Sequence, residues 1–440
     1  MVIFLNISML GSWLLRLYLI HYYYNFILFI FNPRFIINVI RSLDRENMPN
    51  DVFILSAVRT AIGSFGGSLK GVAPADLGAH VTQEALIRSK VDPETVGSNV
   101  VGHVLRTEIR DAYISRRVAL NGGLPVHTQS LTVNRLCGSG LEAITFATQQ
   151  LQLGEVGVAV AGGAECMSSA AHLLTTNRWG QPMGDGKIQD ELTGALTDPF
   201  GVGHMGVTAE NLSDKYTISR QQQDELALQS QQRAANAIEQ DYFKDQITPY
   251  ELKTRKGVTV FDVDEHPRAQ TNLEALSGLR TVFKEGGTVT AGNASGINDG
   301  ASMLVLATEA QVKEQNVKPM ARVVSYGRCG VPNEIMGIGP VGACNIALKR
   351  AGLAVSDMDV IESNEAFAAQ ALSVAKELGL PDDKTNPNGG AIALGHPIGA
   401  SGAILMTKLV YELKRIGGRY GLVTLCIGGG QGIAMIIEAV

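Results

Sequence analysis

Four side chains stand where chemistry is possible: Cys137, Asn364, His396 and Cys426, each in a glycine-rich or helix-opening setting. Cys137 lies in Val133-Asn134-Arg135-Leu136-Cys137-Gly138-Ser139-Gly140. After it Leu141, Ile144, Ala147 and Leu151 recur at helical spacing, which puts the thiol at or near a helix N-terminus. Unpaired backbone N–H groups and the helix dipole favour an anion there, so the thiol is expected to ionise more readily. The neighbouring glycines let a substrate carbonyl approach the backbone. Taken alone, a free cysteine is more often a small buried hydrophobe. His396 sits within Gly389-Gly390-Ala391-Ile392-Ala393-Leu394-Gly395-His396-Pro397-Ile398-Gly399-Ala400-Ser401-Gly402, where so many glycines imply close backbone approach. Asn364, in Ser363-Asn364-Glu365-Ala366-Phe367, is expected to open a helix, with a simple N-cap as the plain alternative. Cys426 is expected to follow directly on a strand, just before Gly428-Gly429-Gly430.

These groups need a frame, and the hydrophobic pattern describes one. Residues 52–58 form a continuous apolar run of the kind found in strands buried on both faces. Residues 74–90 are amphipathic, with Leu77, Val81 and Ala85 on one stripe. Strands over 99–105, 131–136 and 156–161 alternate with helices over 113–120 and after Cys137, which argues for a parallel sheet with helices on its faces. The same order returns near the end. A strand over 321–326 and a helix over 341–351 are followed by a short strand over 359–361 and helices over 365–378 and 400–415. Strands over 421–425 and 432–438 close it. Sites in open parallel sheets lie at the carboxyl ends of strands. With Cys137 in one half and Cys426 in the other, a site shared between duplicated halves is the natural inference.

Between the halves the alternation fails, over roughly 167–293. One strong helix is expected there, over 220–239, capped by Ser219 with Asp224 and Glu225 in its early turns. The stretch reads as an insertion folding over the site, with Lys253, Arg255, Lys256 and Arg268 lending positive charge. A solvated hairpin with ordinary surface charges is the competing reading.

Composition bounds the rest. A chain of 440 residues with 49 glycines and 45% hydrophobic residues suits a tightly packed protein of two or three structural units. A net charge of −5 gives no basis for nucleic-acid binding. The five cysteines are scattered and none falls in a CxxC pair, so neither a metal site nor a disulfide framework is indicated and a reducing cytoplasm fits best. Residues 1–47 are dense in Ile, Leu, Phe and Tyr. The uncharged run over 17–33 is short for a bilayer span and interrupted by His21, Asn25 and Asn32. A weak anchor, a targeting segment or an extension outside the fold are the options. Met48, just before the first strand, favours the last, and no membrane association is expected.

Taken together, residues 133–140, 292–300, 364–367, 395–402 and 426–430 resemble the signature blocks of the thiolases, over essentially everything from Val52 to Val440. The resemblance is nearest to bacterial β-ketothiolases of the degradative and polyhydroxyalkanoate-linked kind, with broad short-to-medium chain specificity. A strictly short-chain acetoacetyl-CoA thiolase is the alternative. It implies an α/β, thiolase-like fold: two duplicated βα-sheet halves in a five-layered α-β-α-β-α arrangement plus an inserted loop domain. The implied boundaries are 48–166 completed by 298–317 for one half, 167–297 for the insertion and 318–440 for the other half. By the same likeness Cys137 is the nucleophile, His396 takes its proton, and Cys426 is the acid/base at the substrate Cα. Asn364 holds a water that with His396 forms one oxyanion hole, and the N–H groups of Cys137 and Gly428 form the other.

For binding, the resemblance implies that Ser295 contacts the CoA pantetheine and Arg268 its phosphates. His204, Met205 and Leu196 would form the acyl pocket, and Phe283 the tunnel wall. Acyl-CoA and CoA are substrates, with no metal and no further cofactor, and the expected assembly is a cytoplasmic homotetramer with the Trp179 loop in its contacts. Two other classes compete: a ketoacyl synthase, against which Cys426 and the Asn-Glu-Ala-Phe block argue, and a non-catalytic acyl-CoA- or lipid-binding relative, which should lack Cys137, His396 or Cys426.

Overall fold

Strands that are apolar on both faces must be covered on both sides, and this requirement sets the layering. A computed structural model describes residues 50–255 and 257–440, so the expectations for residues 1–47 and for Lys256 lie outside the described residues. The first half contains β1 (Val52–Arg59), α1 (Pro74–Ser89), β2 (Val96–Gly102), α2 (Ile114–Asn121), β3 (Gln129–Val133), α3 (Ser139–Gln152) and β4 (Val158–Cys166). The insertion carries α4 (Met205–Tyr216) and α5 (Arg220–Glu239), after which β5 (Asn298–Thr308) returns to the first half. The second half runs β6 (Ala321–Gly330), α6 (Gly339–Ala351), β7 (Val360–Ser363), α7 (Ala368–Leu378), α8 (Ser401–Ile416), β8 (Tyr420–Ile427) and β9 (Gln431–Ala439).

Pairing repeats between the halves. β3 with β2 and β2 with β4 are parallel, while β4 with β5 and β5 with β1 are antiparallel. In the second half a parallel bridge joins Thr385 to Ile361, β7 and β8 are parallel, and β8 with β9 and β9 with β6 are antiparallel. The two half-sheets join where Phe53 and Ile54 pair with Arg322 and Ala321.

Alternation along the strands then assigns the faces. On β4, Val158 and Val160 join α1 and α2 in an outer cluster, while Ala159 and Ala161 face inward; on β5, Met303 and Val305 face out, Leu304 and Leu306 in. In the second half Leu422, Ala434 and Ile436 pack on α6, and Val423, Leu425, Ile433 and Met435 face inward. Between the inward faces lie α3 and α8, with Leu141, Ile144 and Leu151 against the same core as Leu405, Leu409 and Leu413. This gives the expected five layers. Each such leucine is worth roughly 1.5–3 kcal/mol of burial. The N-terminal ends of α3 and α8 meet closely because Gly140 and Gly402 carry no side chain: a Cβ on Gly402 would overlap the Leu141 nitrogen, and one on Gly140 would lie 2.8 Å from that of Ala403.

The insertion is tied down by charge. Arg59 at the end of β1 is fully buried and grips Asp264 through two bonds of 2.7 and 2.9 Å, with its Nε on Gln246 at 2.8 Å. Helix α5 spans the expected residues, and Ser219 and Gln222 cap it reciprocally. Lys253 and Arg255 are exposed on and beside a two-stranded hairpin (Tyr250–Thr254 with Gly257–Phe261), as in the solvated reading. No helix among the described residues is long and apolar enough to cross a membrane.

Candidate active site

The turn bearing Cys137 is held by its own short polar side chains. Arg135 N donates to Ser139 Oγ at 2.8 Å, Ser139 Oγ donates to Leu136 O at 2.7 Å, and Leu136 N to Asn134 Oδ1 at 3.1 Å. Leu136 is forced to a φ of +47°, a conformation that costs a non-glycine residue about 1–3 kcal/mol and persists only where surroundings impose it. Glu142 on α3 binds Arg135 at 3.0 Å and Arg328 of β6 at 2.6 Å, locking this turn to the other half. The thiol is half-buried, two residues ahead of α3, and receives the N–H of Gly428. Burial nevertheless pushes it up to about 11, with the Gly428 N–H pulling partly against this. The ready thiolate expected from a helix N-terminus is therefore corrected: the resting group is a thiol.

Two expected positions change. Cys426 does not follow a strand but lies inside β8, opposite Gly432, because β9 keeps pairing to Gln431 and the turn is confined to Gly428-Gly429-Gly430, with φ of +79° and +83° at the last two. It is wholly buried, and burial together with the nearby Cys137 sulfur drives its pKa far up. Asn364 does not open α7, whose N-cap is Phe367. Its N–H instead continues the strand pairing onto Thr424 O at 3.0 Å. The next residue, Glu365, is drawn out of the helix by Ser230 Oγ at 2.7 Å and Asn386 Nδ2 at 2.8 Å.

His396 is fixed on three sides. Its N–H donates to Asn298 Oδ1 at 2.9 Å, and Nδ1 lies 2.6 Å from Ser401 Oγ. Ser401 has a single proton and donates it to Pro397 O at 2.8 Å, so it can only accept from the ring: Nδ1 carries the hydrogen and Nε2 the lone pair. Nε2 accepts from Asn364 Nδ2 at 3.4 Å. Burial lowers the imidazole to about 4, so it is neutral and basic at neutral pH. The sequence offers a single signal for this role of Ser401, its place five residues after His396 in the glycine-rich block.

A cleft of about 450 Å³ leads down to His396. Its walls include Ser295, Arg268, His204, Leu196 and Phe283, five of the six residues expected to bind substrate. The sixth, Met205, is buried behind the wall beside Cys426, because it begins α4 and turns inward. Phe283 stacks on His204 at 4.7 Å between ring centroids and meets Phe367 edge-on at 6.1 Å. Arg268 is exposed at the cleft, where a guanidinium suits an anionic group. Neither cysteine is among the residues that line the cleft; each lies behind them, Cys137 packing with Met167 and Ile398, and Cys426 with Phe367 and Ala294, all four of which do line it. A neutral base thus stands at the cleft, and behind its walls a half-buried thiol that takes the Gly428 N–H lies near a second thiol in dry surroundings.

Comparison with known proteins finds matches over both halves of the chain. Residues 52–310 match the family described as Thiolase, N-terminal domain, and residues 317–439 that described as Thiolase, C-terminal domain. Beta-ketothiolase BktB of Cupriavidus necator is 57% identical over 394 residues, covering 89% of this chain and 100% of that protein. The structure of the Bacillus anthracis acetyl-CoA acetyltransferase matches with a TM-score of 0.88 at 46% identity, covering 90% of this chain and 100% of that one. Human mitochondrial 3-ketoacyl-CoA thiolase in complex with CoA matches with a TM-score of 0.86 at 47% identity, covering 89% and 98%.

Proposed function

The chain belongs to the thiolase family and is an acyltransferase, and from that premise we propose that it runs the reversible thiolysis of 3-ketoacyl-CoA through a thioester on Cys137. The observation carrying this reading is the neutral, Nδ1-protonated His396, whose Nε2 keeps its lone pair and accepts a long 3.4 Å bond from Asn364 Nδ2 that a stronger donor can displace.

In the cleavage direction, Cys137 sulfur attacks the keto carbonyl while its proton passes to His396 Nε2, so neither charge is held alone in a dry site. The N–H groups of Cys137 and Gly428 receive the oxyanion of the tetrahedral adduct. When the bond between Cα and the keto carbon breaks, the electrons pass to the acetyl thioester as an enolate. His396, now an imidazolium, and a water on Asn364 donate to its oxygen. Cys426 supplies the proton to Cα, which frees acetyl-CoA. A second CoA then gives its thiol proton to the Cys426 thiolate and attacks the Cys137 thioester, releasing the shortened acyl-CoA while the leaving Cys137 sulfur takes its proton back from His396, so that all three groups return to their resting forms. Condensation is the reverse, with Cys426 as the base. Two thiols are needed because holding the acyl group and moving the Cα proton overlap in time.

The CoA-bound human relative supports CoA as the substrate that fills the cleft, with Ser295 against the pantetheine and Arg268 on the phosphates. His204, Leu196 and Phe283 then shape the acyl end, with Met205 behind them. Residues 48–166 with 298–317 and residues 318–440 are read as the halves, and 167–297 as the cover. The scattered placing of the five cysteines, none in a CxxC pair, supports reading the chain as cytoplasmic.

The test separates the two sulfurs. Cys137→Ala is expected to give no acyl-enzyme by intact mass after mixing with acetyl-CoA, whereas Cys426→Ser acylates at Cys137 yet loses on the order of 10²-fold or more of condensation. A stable adduct on Cys137→Ala, or equal loss of both half-reactions in Cys426→Ser, refutes the assignment.

A further inference from the structure

We infer that Glu165 is a positioning residue for His396, its carboxylate tying the loop that bears the imidazole to the segment that leads into Cys137. The inference rests on the roles proposed above for those two residues.

Glu165 lies near the end of β4 and is fully buried. Its Oε2 accepts from Gly399 N at 2.9 Å and Val104 N at 3.0 Å; its Oε1 accepts from Leu105 N at 3.1 Å and lies 3.2 Å from His103 Nδ1. One of these donors belongs to the second half and three to the first. Gly399 is three residues beyond His396 in the same short loop. On the other side, His103 N donates to Val133 O at 3.1 Å, the last residue of β3 before the Cys137 turn. A buried carboxylate is expensive unless its oxygens are filled, and here both are, by groups that belong to the two walls of the site.

The fit around the loop is equally close. A Cβ on Gly399 would overlap Glu165 Oε2, and one on Gly163 would overlap Gly399 O. The loop therefore sits flush on the first half, with the carboxylate as a charged contact there. Ser401 orients the imidazole, and Asn298 at the start of β5 holds the main-chain N–H of His396. Glu165 sets how far that whole loop stands from the nucleophile. A displacement of about 1 Å between reacting groups typically costs on the order of 10²-fold in rate.

Two substitutions test this by different routes. In Glu165→Gln, either amide orientation turns an N–H₂ donor toward backbone donors, on the Gly399 side or the Leu105 side. In Gly399→Ala, the charge stays and the new methyl pushes it off the loop. Both are expected to slow acylation of Cys137 by acetyl-CoA by on the order of 10²-fold, with KM for acyl-CoA within about twofold and the folded circular-dichroism spectrum retained. Glu165→Asp, which keeps the charge on a shorter arm, should recover part of the rate.

Acylation near the wild-type rate in a folded Glu165→Gln, or KM rising in step with the rate loss, overturns the inference. If that variant does not fold, Gly399→Ala decides in the same way. Wild-type enzyme that takes acetyl on a residue other than Cys137 would overturn the reading of the site and this inference with it. Acetylation at Cys137 with unslowed variants overturns the inference alone.

Discussion

At the scale of single residues, the proton on Nδ1 of His396 decides which atom does chemistry. Ser401 spends its one hydrogen on Pro397 O, which leaves Nε2 as the base. With the imidazole lowered to about 4 by burial and the Cys137 thiol raised to about 11, both partners rest uncharged. The proton moves only as the sulfur–carbon bond forms. The pH profile follows from this. Thiolysis kcat/KM of the free enzyme should stay level through pH 6.5 and fall only as pH drops toward 4, because a protonated Nε2 cannot accept. An inflection near pH 6.5 would contradict it. The same burial has a sign for stability. The unfolded chain binds this proton below about 6.5 and the folded chain only below about 4, so the unfolded state holds more protons across that window and acidification through it destabilises, by roughly 3 kcal/mol from this group.

At the scale of elements, the site depends on how α3 and α8 begin. Their first turns touch through Gly140 and Gly402, which sets the Cys137 turn against the His396 loop. Gly402→Ala forces a methyl into the Leu141 backbone and should lower stability by about 1–3 kcal/mol, with a loss of activity larger than the fall in folded protein. Denaturant unfolding beside specific activity checks both. Sequence made much of this readable: period-2 and period-3.6 patterns marked the strands and helices, and α5 with its Ser219 cap falls on its expected residues. What escaped was set by partners distant in the chain. The pull of Ser230 and Asn386 on Glu365 delays α7, and the β8–β9 pairing carries the strand through Cys426. Local pattern holds no trace of either. Glu165 could have been flagged, since a carboxylate ending so apolar a strand must be buried and paired.

At the scale of the whole molecule, two exposed surfaces ask for cover. The sheet ends at β3, a five-residue edge with Leu131 40% exposed and Val126 beside it 77% exposed, whereas the opposite edge, β7, is bridged by Thr385. An open edge with apolar side chains invites pairing with another copy. Elsewhere, Trp179 is 92% and Met183 88% exposed between the two short strands His172–Leu174 and Ile188–Asp190, with Leu174 and Ile188 also open. A tryptophan so exposed is rare on a surface that stays wet. Two separate self-complementary patches generate a dimer of dimers, whereas one would give only a dimer. The prediction at this scale is a homotetramer, with β3 expected in one interface and the Trp179 segment in the other. Sedimentation at micromolar concentration should give four chains for the wild type and two for Trp179→Ser combined with Met183→Ser, since only one of the interfaces is touched. A wild type that sediments as one chain, or a double variant that still holds four, would show that these surfaces do not build the assembly.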